Sequence, residues 1–275
     1  MSSDDTSQAH WWPFLVAVGT MAAVGLAGLA ATAYVALRTS RGLRLDAAAS
    51  EAVSSPGPLL DRLYDGLGLV SVGSVAVSLL VCVMLAVVRR RFDLALGAAV
   101  VIGGADLTTQ FLKKDLFTRI GSGAGLNSLP SGHTTVALSI ALAAVIVAPP
   151  AWRSTVAIGV AATAALVGVS LVLGRWHHVS DVLAATFVCI LWAAAGMLTA
   201  ALVRQLPPVP AHGVPLHLGA LIGASTVGVV LVSWGVRPQP GLRDLGLGVL
   251  SLGSIGLVCA VSVSAVAYVA DRHLE

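Results

Sequence analysis

Eight predominantly apolar stretches, near 13–37, 67–88, 92–112, 133–148, 154–175, 178–203, 214–235 and 245–270, account for most of this chain. A helix needs about 20 such residues to cross a bilayer. The stretches therefore predict an all-α, polytopic transmembrane helix bundle, with the fourth span the shortest. A chain that is 57% hydrophobic and 11% charged, with a mean hydropathy of +0.91, lies far from soluble composition.

The first stretch follows Asp4 and Asp5 with no Lys or Arg before it, and it is too long for a signal-peptide core. It reads as a first span, with His10, Trp11 and Trp12 in the interfacial belt at its start. Arg89, Arg90 and Arg91 form the densest basic cluster in a short loop, which the positive-inside rule assigns to the cytoplasm. Counting spans from there puts the N-terminus inside and the 113–132 loop outside. Arg38, Arg41, Arg44 and Arg62 then fall in the first outside loop, partly offset by Asp46, Glu51, Asp61 and Asp65.

The net charge of +3 does not point to nucleic acid, because the basic residues are scattered among short loops and form no stripe interleaved with aromatics. Cys82, Cys189 and Cys259 fall inside apolar spans without metal-ligand spacing and read as small buried hydrophobes. Gly25 and Gly28 read as close helix-packing positions.

Two polar breaks organise the chain. Residues 38–65 read as a connector in which Leu59, Leu60, Asp61, Arg62, Leu63, Tyr64 and Asp65 form an interfacial amphipathic turn. Pro207, Pro208 and Pro210 cannot continue a helix, and they mark the boundary between a six-helix core and two further C-terminal transmembrane helices. The expected divisions are 1–65 (N-terminal tail, first span and extracytoplasmic loop), 66–203 (core) and 204–275 (two-helix appendage).

The polar chemistry gathers at three places. Lys113 and Lys114 are the chain's two lysines, and with Arg119 they precede a loop containing Gly121, Gly123 and Gly125. A guanidinium fork and a compact ammonium hold phosphoryl oxygens in complementary ways. Pro130, Ser131, Gly132 and His133 then open the fourth span. A helix N-terminus presents free N–H groups to an anion, Gly132 permits close approach, and His133 stands beside it as a proton donor. Downstream, His177 and Asp181 lie one helical turn apart. The carboxylate can orient one imidazole nitrogen and leave the other as a nucleophile. His178 lacks that spacing and reads as interfacial.

In these motifs and their order the chain resembles the type 2 phosphatidic acid phosphatase superfamily, membrane lipid-phosphate phosphatases that share a pocket with vanadium haloperoxidases. The resemblance covers roughly residues 66–203, with motifs at 113–119, 130–133 and 177–181. It implies that Lys113 and Arg119 bind phosphate, that Ser131 and Gly132 cradle the anion, and that His133 is the leaving-group acid. His177 would be the nucleophile that becomes phosphohistidine, oriented by Asp181. It implies a metal-independent hydrolase without cofactor, acting on a lipid phosphate or diphosphate at the extracytoplasmic face of a bacterial plasma membrane. The expected partners are that substrate and membrane lipids.

Two positions depart from the family pattern. Ile120 replaces a Pro, and Leu171 replaces an Arg six residues before the nucleophile. The expectation is that Arg175 or Lys114 supplies the missing cation. The alternative is a lipid-phosphate binding or flipping protein with a weakened site. A secondary transporter would show an inverted repeat, and the sequence has none. Asp106, two turns before Lys113, reads as a pairing partner within the bundle. Phosphatidic acid, phosphatidylglycerol phosphate and polyprenyl phosphates or diphosphates share the same terminal group. The lysine-poor, Ala- and Val-rich composition favours polyprenyl carriers among them.

Overall fold

The computed structural model describes residues 3–53, 72–117, 127–204 and 242–274, and every regular element among them is helical. In chain order these are α1 (Ser3–Arg38), α2 (Ser40–Val53), α3 (Val72–Val88), α4 (Phe92–Phe111), α5 (Gly132–Val147), α6 (Pro150–Leu173), α7 (Val179–Arg204) and α8 (Leu242–His273). Among the described residues, five segments are long and apolar enough to cross a membrane: Trp11–Arg38, Phe92–Leu116, Pro150–Leu173, Val179–Arg204 and Gly246–His273. Val75–Val88 and Gly132–Val147 are shorter apolar helices, and the expected span at 214–235 lies outside the described residues. The protein is thus an integral membrane helix bundle, as its sequence predicts. Large apolar side chains such as Leu107, 74% exposed, and Leu250, 71% exposed, face outward where lipid replaces water.

Apolar burial does not drive helices together in hydrocarbon, so close approach of small residues has to. The bundle is arranged accordingly around α7, against which α1 and α4 make their most extensive contacts. A Cβ on Gly97 of α4 would lie 2.7 Å from the Gly196 carbonyl of α7, and one on Gly196 would lie 2.6 Å from the Gly97 carbonyl. Gly25 of α1 passes as near to Phe187 and Leu191, where a Cβ would meet backbone atoms at 2.9 Å. α8 packs on α6, α7, α2 and α5, and its Ala260, Val263 and Ala267 belong to the main apolar core.

The two ends of the bundle differ in chemistry. At one end arginines cap helix C-termini, where carbonyls have no intrahelical donor. Arg89 donates to the Val147 carbonyl at 2.6 Å, and the fully buried Arg153 donates to Val145 and Ala148 at 3.1 and 2.8 Å while pairing with Asp271. Arg91 and Arg204 both donate to the Leu274 carbonyl, at 2.5 and 2.7 Å. The other end carries the turns that lead into α5 and α7.

The first connector differs from the sequence reading. Residues 40–53 form a helix, whereas the amphipathic turn expected at 59–65 lies outside the described residues. Gly42 donates its N–H to Thr39 Oγ1 at 3.0 Å, and Gly42, Asp46, Ala49, Ser50 and Val53 are buried on one face against the bundle. Tertiary contact stabilises a segment whose alternating Arg, Asp and Ala residues read as loop.

Candidate active site

The candidate site is built where the end of α4, the start of α5 and the turn between α6 and α7 converge. After Phe111 the chain makes one π-turn over Leu112–Leu116, closed by the Phe117 N–H on the Leu112 carbonyl at 2.8 Å. This wider turn presents the half-buried Lys113, while Lys114 is exposed. Thr109 Oγ1 and Thr135 Oγ1, 2.9 Å apart, tie the end of α4 to the first turn of α5. Arg119 lies outside the described residues.

Asn127 shapes the approach to α5 by donating to the Leu129 carbonyl at 2.8 Å and accepting the Leu129 N–H at 3.2 Å. Ser131 is the N-cap. Its buried Oγ accepts the Thr134 N–H at 3.3 Å and the Thr134 hydroxyl at 3.1 Å. The Ser131 oxygen thus holds the helix start, and the anion-facing groups are the first amides of α5. Among the described residues, nothing beyond its chain neighbours and its own helix backbone lies within 4 Å of where a Cβ on Gly132 would stand. The Ser131 N–H donates to the Asp181 carbonyl at 3.0 Å, which joins the starts of α5 and α7.

The α6–α7 turn places His177. Gly174 ends α6, and Arg175 adopts a left-handed conformation (φ 59°) that reverses the chain. The Leu171 carbonyl then accepts both the Trp176 and His177 N–H groups, at 3.0 and 3.2 Å. At this position the resemblance leads one to expect an arginine. Its backbone fixes the turn, and the leucine side chain is fully buried. Asp181, also fully buried, accepts from His177 Nδ1 at 3.1 Å and from the His178 N–H at 3.0 Å through Oδ2, with Ser128 acting on the same carboxylate. Binding His177 through Nδ1 leaves Nε2 available.

His133 faces this pair. Its ring centre is 6.3 Å from that of His177, edge-on, and 6.0 Å from Trp176. Lys113 and His177 both act electrostatically on it. Reacting or hydrogen-bonded atoms stand about 3 Å apart, so two imidazoles this close can both reach one bound phosphoryl group. Arg175, with its side chain exposed, lines a cavity of about 270 Å³ together with His177, Ser128, Trp176 and the α2 residues Ser50 and Glu51. The structure therefore brings together Lys113, Ser131, Gly132, His133, His177 and Asp181, while Arg175 lines the cavity between His177 and α2.

Sequence reasoning missed the contribution of α2. Asp46 accepts the Ser180 N–H at 3.2 Å and the Ser180 hydroxyl at 2.5 Å, capping α7 from another helix. Ser50 Oγ lies 3.2 Å from His178 Nδ1, so the His178 ring faces α2. Asp46→Ala should lower the unfolding free energy by about 1–2 kcal/mol, as loss of a cap does, and slow any turnover. The thermal midpoint in detergent measures the first effect, and Asp46→Asn should retain part of the cap.

A helix N-terminus, a lysine and paired imidazoles converging in one membrane bundle are groups suited to phosphoryl chemistry. Residues 104–205 match the family model of the PAP2 superfamily, the type 2 phosphatidic acid phosphatase superfamily whose motifs the sequence resembles. No curated protein and no solved structure matches the chain.

Proposed function

We propose that this protein hydrolyses a lipid phosphate or diphosphate without a metal ion, through a phosphohistidine at His177. The observation that carries the reading is the 3.1 Å contact from His177 Nδ1 to a fully buried carboxylate, with a second imidazole facing the same ring. His177 Nε2 attacks phosphorus as the bond from phosphorus to the lipid-side oxygen breaks, and His133 protonates the departing oxygen. Water then attacks phosphorus, with His133 taking its proton; the phosphorus–nitrogen bond breaks, its electron pair returns to His177 Nε2, and inorganic phosphate leaves. Lys113, Arg119 and the first amides of α5 neutralise the equatorial oxygens. Asp181 keeps His177 in the tautomer that leaves Nε2 unprotonated.

The Arg89–Arg91 turn at the far end of the bundle supports an extracytoplasmic site under the positive-inside rule. Phosphatidic acid, phosphatidylglycerol phosphate and polyprenyl diphosphate all carry the terminal group this chemistry needs. The test is release of inorganic phosphate by the purified full chain from each of these three lipids in the presence of a chelator. Release from at least one of them supports the reading. Restoration only by added divalent metal overturns the metal-free mechanism.

The buried Leu171 side chain favours a second reading, a binding or flipping protein with a weakened site. The two readings diverge at Arg175. Arg175→Gly removes the guanidinium and suits the left-handed backbone, so its effect is not confounded by turn strain. We expect phosphate release to fall about 10²-fold, the effect of losing one charge-stabilising group. An unchanged rate would mean that Arg175 does not replace the missing arginine.

A further inference from the structure

A groove of about 470 Å³ runs between α1, α2, α7 and α8, lined by Thr32, Val35, Leu45, Leu183, Leu247 and Leu250 among others. α1 and α8 meet at the arginine end, where the Phe14 and His273 rings are 5.4 Å apart. They diverge toward α2. From Phe14 to Ala33 is 19 residues along α1, about 28 Å at 1.5 Å per residue. The groove therefore lies toward the far end of the bundle from the arginines, the end that carries the candidate site.

Asp46, Ser180 and Ser254, three of the polar residues that line the groove, are already engaged within the protein. Both Asp46 oxygens accept from Ser180, and Ser254 Oγ donates to the Ser251 carbonyl at 2.8 Å. Three of its four walls are helices long and apolar enough to cross a membrane, and most of its lining side chains are apolar. Its size matches that of ligand sites, about 300–1,000 Å³.

The groove and the polar cavity at His177 lie against neighbouring faces of one helix. Leu45, Asp46 and Ala49 of α2 face the groove, whereas Ala47, Ser50 and Glu51 face the cavity. On α7, Val179 and Ser180 line the groove directly after His177 and His178 line the cavity. A charged compartment and an apolar one, about one helix width apart (~10 Å), have the layout of an amphiphile with a phosphate head. We infer that the groove holds the hydrocarbon tail of the lipid whose phosphate lies at His177. This rests on the phosphatase reading for the head and adds a tail site built by α1, α2 and α8, all of which lie outside the segment matched by the family model.

Thr32→Trp and Ser254→Trp, made separately, fill the groove from opposite walls. The quantity to measure is the ratio of kcat/KM for a long-chain phosphatidic acid in mixed micelles to that for a water-soluble dihexanoyl one. The ratio should fall about tenfold, the loss of roughly two buried methylenes. An unchanged ratio overturns the inference.

A second measurement needs neither altered packing nor turnover. A phosphatidic acid with a diazirine in its acyl chain is cross-linked to the unaltered full chain and to His177→Ala. Label should concentrate on groove segments of α1 and α8 and be displaced by unlabelled phosphatidic acid. Label spread evenly over all outward-facing helices would mean belt lipid only and overturn the tail site. Concentrated label on a protein that releases no phosphate would uphold the tail site and sink the phosphatase reading instead.

Discussion

His177→Ala will abolish phosphate release, with a fall of about four orders of magnitude or more, while the protein remains folded in detergent. The expectation follows from its role as the attacking atom. A general acid or base typically contributes about 10²–10⁴-fold, whereas removing a nucleophile removes the covalent route itself. His177 holds the turn through its backbone N–H on the Leu171 carbonyl, a bond that alanine keeps. Its side chain meets Asp181 alone among the hydrogen bonds described, so the thermal midpoint should move little. Asp181→Asn should be less severe but still large, because an amide can hold the ring in the wrong tautomer. Residual activity near the parent level in His177→Ala would remove the nucleophile assignment. Acid-labile, base-stable phosphate trapped on the parent protein during turnover and missing from the variant would support it directly.

Arg153→Ala will cost about 3–5 kcal/mol of stability, the range for breaking a buried ion pair by removing one partner. The guanidinium is fully buried and serves three groups at once: the Val145 and Ala148 carbonyls at the end of α5, and Asp271 on α8. Its removal leaves two carbonyls without this donor and takes a cation from Asp271. Arg153→Lys should recover only part of the loss, because a single ammonium cannot reproduce a planar fork that donates in several fixed directions. The check is thermal unfolding in detergent, with expression level as a second readout. A midpoint unchanged in Arg153→Ala would show that helix packing alone holds α5, α6 and α8 together.

The parts of this protein that were legible in its sequence are those set by local composition. Apolar runs announced the spans, and the Pro149–Pro150 pair and Gly174 mark the ends of α5 and α6. His133, His177 and Asp181 stood out because imidazoles and a carboxylate are costly in an apolar chain unless they have a partner or a task. Asp46 and Arg153 did not stand out. Their partners Ser180 and Asp271 are 134 and 118 residues away, and nothing near either residue signals the pairing. α2 was read as connector for a related reason: its helix rests on a buried face whose complement is α7 and α8. Leu171 was visible as a missing arginine, but its use as the acceptor for two turn amides is a backbone role, which side-chain identity does not reveal.

The Leu274 carbonyl, which receives guanidinium groups from both Arg91 and Arg204, gives the bundle a mechanical asymmetry. With the arginine caps on α5 and the Phe14–His273 contact, it fastens α1 and α8 into the arginine end, while farther along they stand on opposite sides of the groove. A set of rods clamped at one end bends most at the other. Any splaying of α1 from α8 would therefore pivot near Phe14, and a lever of some 28 Å would turn a tilt of a few degrees there into an ångström or two at the groove. The residues that set how readily a tail enters would then be those at the fulcrum, far from any atom the tail touches.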